Sequence, residues 1–561
     1  MRILQVFFYT VLSIFLMTSG IPNEILSFGM PLAGLLCLVP FYLALSRCKT
    51  YREAGLCTSL FLGTVHAASS FWLANFKEFA ILTIGASSAF YYVAGWFIGQ
   101  LLYIPFNITL HPEEELRENA GCRPFNVIIR ILYFTAAWTL YEWWKSEGFL
   151  AYPWGTVILT SWKWKLLIQI VSLTGTWGIS FLFSLFAATA AEVIRSFWRN
   201  EHAFRNIFLS SERTVTANAA LFTVFLFLAS LIYGTYEFYK PRTPVKTLNT
   251  VLVQHNADSW EGSEADCILT AERLTEEAIE ASDKEPQIVV WSEGFLTYPL
   301  PESWWYYDGV PYEYPLQESI RDTGVPYLIG APYTMDDTGT HFGNCAVLLN
   351  PDASIQEHYA KIHLVPFAEG IPFADKPWMK TFMQIVAGFS NGWQAGNEYT
   401  IFTVQGSEPV HFSAPVCFED AFPSVCRQLF LAGSEVFMNI TNDSWSLKKS
   451  AEYQHYIMSS FRALEFRTTL VRTTNGGYTT VTGPNGTILT DLPLFEEASV
   501  LAEVPIFERE ITTYAELGDW IPVVAFVILL LLLPYFIFYL QYLSFLHSEH
   551  ILHDETEYRS N

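Results

Sequence analysis

Apolar residues are concentrated in long runs toward the two ends of the chain rather than spread evenly along it. Each run is long enough, or nearly so, to cross the hydrocarbon core of a bilayer as an α-helix. The last run, 520–543, is the clearest, with aliphatic and aromatic residues almost throughout. The pattern predicts an integral membrane bundle of about eight helices, over 3–20, 25–45, 55–76, 79–105, 126–144, 166–192, 218–238 and 520–543.

Between 247 and 515 no such run appears, and charged and turn-forming residues return. Short apolar runs typical of buried strands alternate there with polar stretches of helical spacing, which predicts an α/β layered domain. Strands are predicted over 250–256, 287–294, 326–333, 345–351, 412–420, 435–443, 469–484 and 486–492, and helices over 261–283, 421–432 and 450–466. The chain divides into N-terminal helices (1–246, about seven), the α/β domain (247–515), a final membrane helix (516–545) and a cytoplasmic tail (546–561).

Basic residues in the short connecting segments predict the orientation of the helices. The segments after the second, fourth and sixth runs carry more arginine and lysine than the alternate segments. Because seven spans precede it, the 247–515 domain is then expected outside the cytoplasm. Met1-Arg2 before an apolar stretch also fits a cleaved signal peptide. The sequence before Ile21 lacks a convincing small-x-small cleavage site, however, which favours a retained first helix.

Composition supports a membrane protein and excludes other classes. The 561 residues are 51% hydrophobic and only 16% charged, which is too apolar for an ordinary soluble protein. A net charge of −23 argues against a nucleic-acid partner, which requires a basic surface. The eight cysteines show no CxxC or Cys/His spacing, so neither a metal nor another cofactor is expected. Their spacing leaves a Cys267–Cys345 disulfide open, and Cys417 is expected to be reduced.

Three short stretches each present one reactive side chain: Glu293 in IVVWSEG, Lys361 in HYAKIHLVPFAEG and Cys417 in APVCFED. A carboxylate can take a thiol proton, the thiolate can attack a carbonyl, and an ammonium can stabilise the resulting oxyanion. Singly, each has an ordinary interpretation, since a lone cysteine is usually a small buried residue and a lone Glu or Lys a surface charge. All three lie in apolar, strand-like contexts, which favours a site where strand ends meet. Cys417 is expected to open a turn into helix 421–432, whose N-terminus would favour a thiolate.

Longer motifs surround these residues, namely WSE (291–293), KIHLVPFAEGIPF (361–373), CFE (417–419), TNDSW (441–445) and RTTNGGYTTVTGPNG (472–486). By these motifs the domain resembles the nitrilase (carbon–nitrogen hydrolase) superfamily, which implies an αββα sandwich with a Glu-Lys-Cys triad. With its flanking helices, the chain resembles the bacterial apolipoprotein N-acyltransferase family over nearly its full length. AAWTLYEWW (136–144), YPWG (152–155) and YAELGDW (514–520) also resemble segments of that family.

The resemblance implies roles for individual residues. Glu293 would be the base, Lys361 the oxyanion stabiliser and Cys417 the acyl acceptor. Phe418 stands where the family usually has tyrosine, so a phenolic hydroxyl is missing and substrate positioning is in question. Glu369 would be a second carboxylate of the lysine motif, and Glu419 the acid after the cysteine. Trp260 would be a tryptophan on an active-site arm, and Trp445 an aromatic residue beside the pocket. Asn344 would be a polar residue near the lysine.

The resemblance implies transfer of a fatty acyl chain from a phospholipid, through a Cys417 thioester, to the α-amine of an S-diacylglyceryl cysteine at a lipoprotein N-terminus. The expected location is the bacterial cytoplasmic membrane, with the domain on its periplasmic side and the protein a monomer among membrane lipids. One alternative is a membrane-tethered amidase of the nitrilase family that hydrolyses a small extracytoplasmic amide. Another is a membrane scaffold without enzymatic activity, against which the three intact motifs argue.

Overall fold

The computed structural model describes residues 1–76, 80–110, 123–198, 211–257, 263–373, 376–387, 392–406 and 408–537. A bundle of largely apolar helices packs against an α/β domain. The bundle consists of α1 (Arg2–Gly20), α2 (Pro31–Leu36), α3 (Leu38–Leu45), α4 (Tyr51–Ser69), α5 (Ala80–Leu110), α6 (Arg123–Trp144), α7 (Val171–Thr174), α8 (Trp177–Trp198), α9 (Ser211–Tyr239) and, at the end of the described chain, a helix over Trp520–Ile537.

Five helices in the described residues are long and apolar enough to cross a membrane, over Arg2–Gly20, Thr83–Leu110, Trp177–Phe197, Glu212–Tyr239 and Trp520–Ile537. Two of the predicted runs are divided into separate helices. The 25–45 run folds as two short helices that meet at Cys37. The 166–192 run is interrupted at Gly175, whose φ of 62° ends one helix before the next begins at Trp177. The helical bundle is thus confirmed, and the number of spans stays a prediction.

The α/β domain contains two six-stranded sheets. The first sheet has the order β12-β1-β2-β3-β4-β5 and the second has the order β11-β10-β9-β8-β7-β6. The strands are β1 (Lys246–Gln254), β2 (Ile288–Val290), β3 (Tyr327–Thr334), β4 (Phe342–Leu349), β5 (Ile355–Ala360), β6 (Phe402–Val404), β7 (Val410–Ser413), β8 (Val436–Thr441), β9 (Thr469–Thr474), β10 (Thr480–Thr482), β11 (Ile488–Asp491) and β12 (Ala498–Ile506).

Alternating residues of β1 show how the layers are built. Leu248 and Leu252 point into the core between the sheets, whereas Val251 and Val253 belong to a second core on the outer side. β1 and β12 contact β9, so the sheets face each other. The helices lie outside: α10 (Glu264–Glu280) and α11 (Leu316–Thr323) over the first sheet, α13 (Pro423–Ala432) and α14 (Lys449–Phe466) over the second. The predicted αββα sandwich is confirmed.

The helices predicted over 261–283, 421–432 and 450–466 correspond to α10, α13 and α14. The single run predicted over 469–484 is two strands, β9 and β10, joined by a turn. The prediction missed β6, β12, α11, α12 (Pro377–Ala387) and α15 (Thr513–Leu517), which are short or lie at sheet edges. Cys267 and Cys345 are both free thiols, so the disulfide that their spacing left open is not formed.

Buried polar contacts join the second sheet's side of the domain to the helical bundle. The guanidinium of Arg467, which is 3% exposed, donates to the Gln169 side chain at 2.5 Å and to the Ser172 hydroxyl at 3.0 Å. The Asp519 carboxylate accepts from the indole N–H of Trp177 at 3.1 Å. The Arg467 contacts therefore hold the domain against the connection between α6 and α8, and the Asp519 contact holds the start of the last helix against α8.

Candidate active site

Strand ends bring the predicted triad together. Glu293 follows β2 by three residues, Lys361 directly follows β5, and Cys417 lies in a short turn after β7. β2 and β5 belong to the first sheet and β7 to the second, so the site lies where the two sheets meet. Glycine allows a close approach here, since a Cβ on Gly330 of β3 would lie 2.6 Å from the Cα of Glu293.

Lys361 is fully buried between two carboxylates. Its ammonium donates to Glu293 Oε1 at 3.2 Å and to Glu369 Oε1 at 2.9 Å. Asn344 Nδ2 donates to the same two oxygens, at 2.8 Å each. Burial alone would lower the pKa of Lys361, but the charges of Glu293 and Glu369 outweigh burial and raise that pKa well above its ordinary value. The lysine is therefore a fixed cation.

The second oxygen of Glu293 faces the other sheet. Glu293 Oε2 accepts the backbone N–H of Asn442 at 3.0 Å, just after β8. Glu369 Oε2 similarly accepts the backbone N–H of Val365 at 2.8 Å. Glu369 is thus fixed by its own loop, whereas Glu293 is held between the two sheets. Glu293 and Asn344 are 7% and 8% exposed, so these contacts are largely shielded from water.

Cys417 begins a 3₁₀ turn over Cys417–Ala421, with a φ of 50° that is uncommon for a residue with a side chain. Its thiol is half-buried, and burial, together with the negative charge of Glu293, raises its pKa well above the ordinary value; the charge of Lys361 acts in the opposite direction. The expectation that a helix N-terminus favours a thiolate is therefore wrong for the resting site. The α-helix α13 begins at Pro423, six residues after Cys417.

Glu419 does not contact the reacting groups but joins the segments that carry them. Its buried carboxylate accepts the backbone N–H of Ile362 at 2.7 Å, of His363 at 3.0 Å and of Val416 at 2.8 Å. Tyr359 donates its hydroxyl to the same group. Burial raises the pKa of Glu419 to about 7, against these N–H groups, which lower it. Glu419 therefore holds the residues after Lys361 against the residue before Cys417.

Aromatic residues connect the site to the helical bundle. The ring of Phe418 stacks on Trp154, with centroids 5.4 Å apart and planes 6° apart. Trp445 lies against Trp72 at 5.7 Å and Phe76 at 5.4 Å. The departure from tyrosine at position 418 thus places an apolar ring on an apolar partner. Trp260 lies outside the described residues.

The structure brings together Glu293, Lys361, Cys417, Glu369 and Asn344, and it places Glu419, Phe418 and Trp445 around them. Sequence analysis missed Asn442, whose contribution is a backbone N–H that no side-chain pattern reveals. It also missed the role of Trp154, although both residues lie in quoted motifs, TNDSW and YPWG.

Known proteins resemble both parts of the chain. Residues 251–510 match the carbon-nitrogen hydrolase family, and residues 14–189 match the apolipoprotein N-acyltransferase N-terminal domain. Apolipoprotein N-acyltransferase 2 of Treponema denticola is 43% identical over 537 residues, covering 94% of this chain and 97% of that protein. The protein of the same name from Treponema pallidum is 37% identical over 533 residues, covering 90% of each. The crystal structure of Saccharomyces cerevisiae Nit3, of the nitrilase superfamily, is 15% identical with a TM-score of 0.34, covering 47% of this chain and 91% of that chain.

Proposed function

The chain belongs to the apolipoprotein N-acyltransferase family, and we propose that Cys417, Glu293 and Lys361 carry out its acyl transfer. A phospholipid donates a fatty acyl chain to Cys417, and the thioester passes it to the α-amine of an S-diacylglyceryl cysteine at a lipoprotein N-terminus. The observation that carries this assignment is the buried Lys361, which contacts Glu293 while the charges of both act on the Cys417 thiol.

In the first step Glu293 acts as a general base. The Cys417 thiol is protonated at rest because burial and the charge of Glu293 raise its pKa. Attack on an ester carbonyl therefore requires transfer of the thiol proton to the Glu293 carboxylate as the carbon–sulfur bond forms. Collapse of the tetrahedral intermediate breaks the ester carbon–oxygen bond. Glu293 then returns its proton to the departing oxygen, and a lysophospholipid leaves.

The tetrahedral oxyanion requires donors that are already in place. Lys361 supplies one, since its raised pKa keeps it charged. The backbone N–H of Phe418 supplies a second, because it lies in the first turn of a 3₁₀ helix, where N–H groups have no acceptor within the helix. Loss of one such donor typically costs about 3–4 kcal/mol of transition-state stabilisation.

In the second step the lipoprotein amine attacks the thioester, and Glu293 accepts a proton from the attacking nitrogen. The carbon–sulfur bond breaks and an amide bond replaces it, which regenerates the Cys417 thiol once a proton returns to sulfur. The acyl donor and the acyl acceptor use one site in turn, so ping-pong kinetics are expected. The apolar contact of Phe418 with Trp154 supports a thioester sheltered from water, which favours the amine over hydrolysis.

The placement of the protein follows from the same proposal. We place it in the bacterial cytoplasmic membrane, spanning it about eight times, with the catalytic domain (247–515) on the periplasmic side between the N-terminal helices (1–246) and the last span. The distribution of basic residues between the apolar runs supports this orientation. A catalytic domain beside the membrane has direct access to its phospholipid donor and its lipid-anchored acceptor.

Mass spectrometry of the full chain tests the assignment. The purified protein is incubated in detergent micelles containing phosphatidylethanolamine and phosphatidylglycerol, without and then with a diacylated lipopeptide. A fatty acyl adduct should form on Cys417 and should disappear when the lipopeptide is added, as a triacylated product forms. Cys417→Ala should form neither, whereas Cys267→Ala should form both. Ammonia release from small amides without an acyl adduct would support the amidase alternative instead.

A further inference from the structure

A second buried cluster of charged residues lies beneath the nucleophile, on the second sheet's side of the domain. It contains His455 of α14, Asp420 of the 417–421 turn, Asp443 from the loop after β8, and Arg472 of β9. The most exposed of the four is Asp443, at 8%. The acyl-transfer steps above use none of them, and burying four charged side chains is costly unless they serve one another.

His455 bridges the two aspartates. Its Nδ1 lies 2.6 Å from Asp443 Oδ2, and its Nε2 lies 2.9 Å from Asp420 Oδ1. A carboxylate can only accept hydrogen bonds, and a neutral imidazole has one N–H, so both contacts are satisfied only by the doubly protonated ring. The geometry therefore identifies His455 as an imidazolium cation.

The surrounding charges favour this state. Arg472 contacts the Asp420 carboxylate and lies 3.4 Å from Asp443, so two cations face two anions. Glu452, one turn earlier on α14, accepts the Ser446 hydroxyl at 2.6 Å. Burial raises the pKa of Glu452 well above its ordinary value, which keeps it uncharged. Burial and the charge of Arg472 lower the pKa of His455, but the charges of Asp443 and Asp420 and the hydrogen bond to Asp420 together outweigh them, and that pKa is raised to about 9.

Each aspartate belongs to a segment that holds one member of the reacting pair. Asp420 lies three residues after Cys417 within the same turn. Asp443 directly follows Asn442, whose backbone N–H donates to Glu293 Oε2 at 3.0 Å. A continuous set of contacts thus runs from the turn of the nucleophile, through the imidazolium, to the N–H that orients the base.

We propose that His455, as an imidazolium, is a positioning residue that fixes the nucleophile turn relative to the base Glu293. Loss of its proton would leave one ring nitrogen with its lone pair facing a carboxylate, and that contact would become repulsive. Deprotonation would also leave an uncompensated negative charge beside Cys417, whose thiol the charge of Asp443 already stabilises against ionisation. Both effects slow acylation. This inference rests on the proposed function.

The test measures the single-turnover rate of Cys417 acylation from pH 6 to 10 in the same phospholipid micelles. The unsubstituted protein should lose activity on the alkaline side with a midpoint near the His455 pKa of about 9. Burial holds the pKa of the Cys417 thiol well above its usual range, and the two carboxylates do the same for Lys361, so neither accounts for this midpoint.

Two variants and one control decide the result. His455→Gln should acylate about 100-fold more slowly at pH 7, because small misplacements of reacting groups cost about that much, and it should lose the alkaline midpoint. His411→Gln, at an exposed position on β7, should behave like the unsubstituted protein. Asp443→Asn should move the midpoint to lower pH, because the imidazolium loses an anionic partner. If His455→Gln does not fold, the midpoint of Asp443→Asn alone tests the proposal.

An unchanged rate and midpoint in His455→Gln, or an unchanged midpoint in Asp443→Asn, would overturn the positioning role. Failure of the proposed function is distinguishable, because then the unsubstituted protein would form no acyl-Cys417 at any pH.

Discussion

The two sheets of the sandwich contribute different parts of the site. The first sheet's side supplies proton transfer and charge: Glu293, Asn344 and Lys361 form a buried network that is complete within the domain. The second sheet's side supplies the proposed nucleophile Cys417, and the neighbouring Phe418 stacks on Trp154 at the helical bundle. In the proposed mechanism, acid–base chemistry takes place inside the domain, whereas the position of the Cys417 sulfur also depends on a contact with the helical bundle.

This difference has a physical reason. A buried ammonium between two carboxylates needs hydrogen-bond partners from the protein for all its polar contacts, with water excluded, and a rigid sheet edge provides them. A thiol that must receive a lipid chain needs an apolar approach from the bilayer instead. Substitutions on the first sheet's side should therefore act on chemistry, and those at the contact with the helices should act on acyl-chain placement.

Removing the base should have the largest effect. Glu293→Gln keeps the size of the side chain but cannot take the thiol proton, so acylation of Cys417 should fall by about 10²- to 10⁴-fold. Single-turnover mass spectrometry with phospholipid measures it, and Glu318→Gln, at an exposed position of α11, is the matched control. An unchanged acylation rate in Glu293→Gln would show that another group deprotonates Cys417.

Replacing the buried lysine should affect both rate and stability. Lys361→Met removes one oxyanion donor, which should slow acylation by about 10²- to 10³-fold. It also leaves Glu293 and Glu369 without their cation, which should cost about 3–5 kcal/mol of unfolding free energy. The exposed Lys284→Met is the control.

The pH dependence of the unfolding free energy lost in Lys361→Met follows from the raised pKa of Lys361. A raised pKa contributes stability that is fully present below the unfolded value of about 10.4 and is lost as pH rises through the folded value. Thermal unfolding should therefore show the full difference between Lys361→Met and the unsubstituted protein at pH 7.5. The difference should shrink as pH rises above about 10.4, where the unfolded lysine loses its proton and the folded lysine keeps it. A constant difference across this range would contradict the charge-based explanation.

Some parts of the site could be predicted from the sequence, and others depend on the tertiary structure. Glu293, Lys361 and Cys417 were predictable because each side chain carries its chemistry within a recognisable motif. A helix N-terminus was expected to favour the Cys417 thiolate, whereas the pKa of this thiol depends on burial and on the charge of Glu293, which only the tertiary structure establishes. The backbone N–H of Asn442 belongs to every residue type, so no sequence pattern could distinguish it.

The fold shows the same contrast. Buried strands such as β8 and long helices such as α14 were predicted because their apolar spacing persists over many residues. The edge strand β12 was missed because most of its residues are only partly buried and its apolar residues are interrupted by Glu503. In the helical bundle, hydropathy indicated 166–192 as one span, but Gly175 turns the chain there and brings it against Tyr514 of the domain boundary.

Glu419 joins the segments that carry Lys361 and Cys417, so its substitution should have an intermediate effect on stability. In Glu419→Gln an amide N–H₂ would face backbone donors such as Val416 N–H, so stability should fall by about 1–3 kcal/mol. With a folded pKa of about 7 and an unfolded value near 4.3, the folded protein binds more protons between these pH values. Unfolding free energy should then fall as pH rises through this window. Glu419→Gln should remove that slope, whereas the exposed Glu408→Gln should keep it; an equal slope in both would contradict the assignment.

The smallest effect should come from the aromatic contact with the helices. Phe418→Leu stays apolar but loses the stacking on Trp154, a contact worth about 0.5–1.5 kcal/mol, so acylation should slow by about two- to tenfold. Phe418→Tyr keeps the ring and should acylate at close to the unsubstituted rate. Because the first sheet's side is untouched, neither variant should alter the pH dependence of acylation. A change in pH dependence with Phe418→Leu would mean that the membrane contact also tunes the proton chemistry, and that the two sides do not act separately.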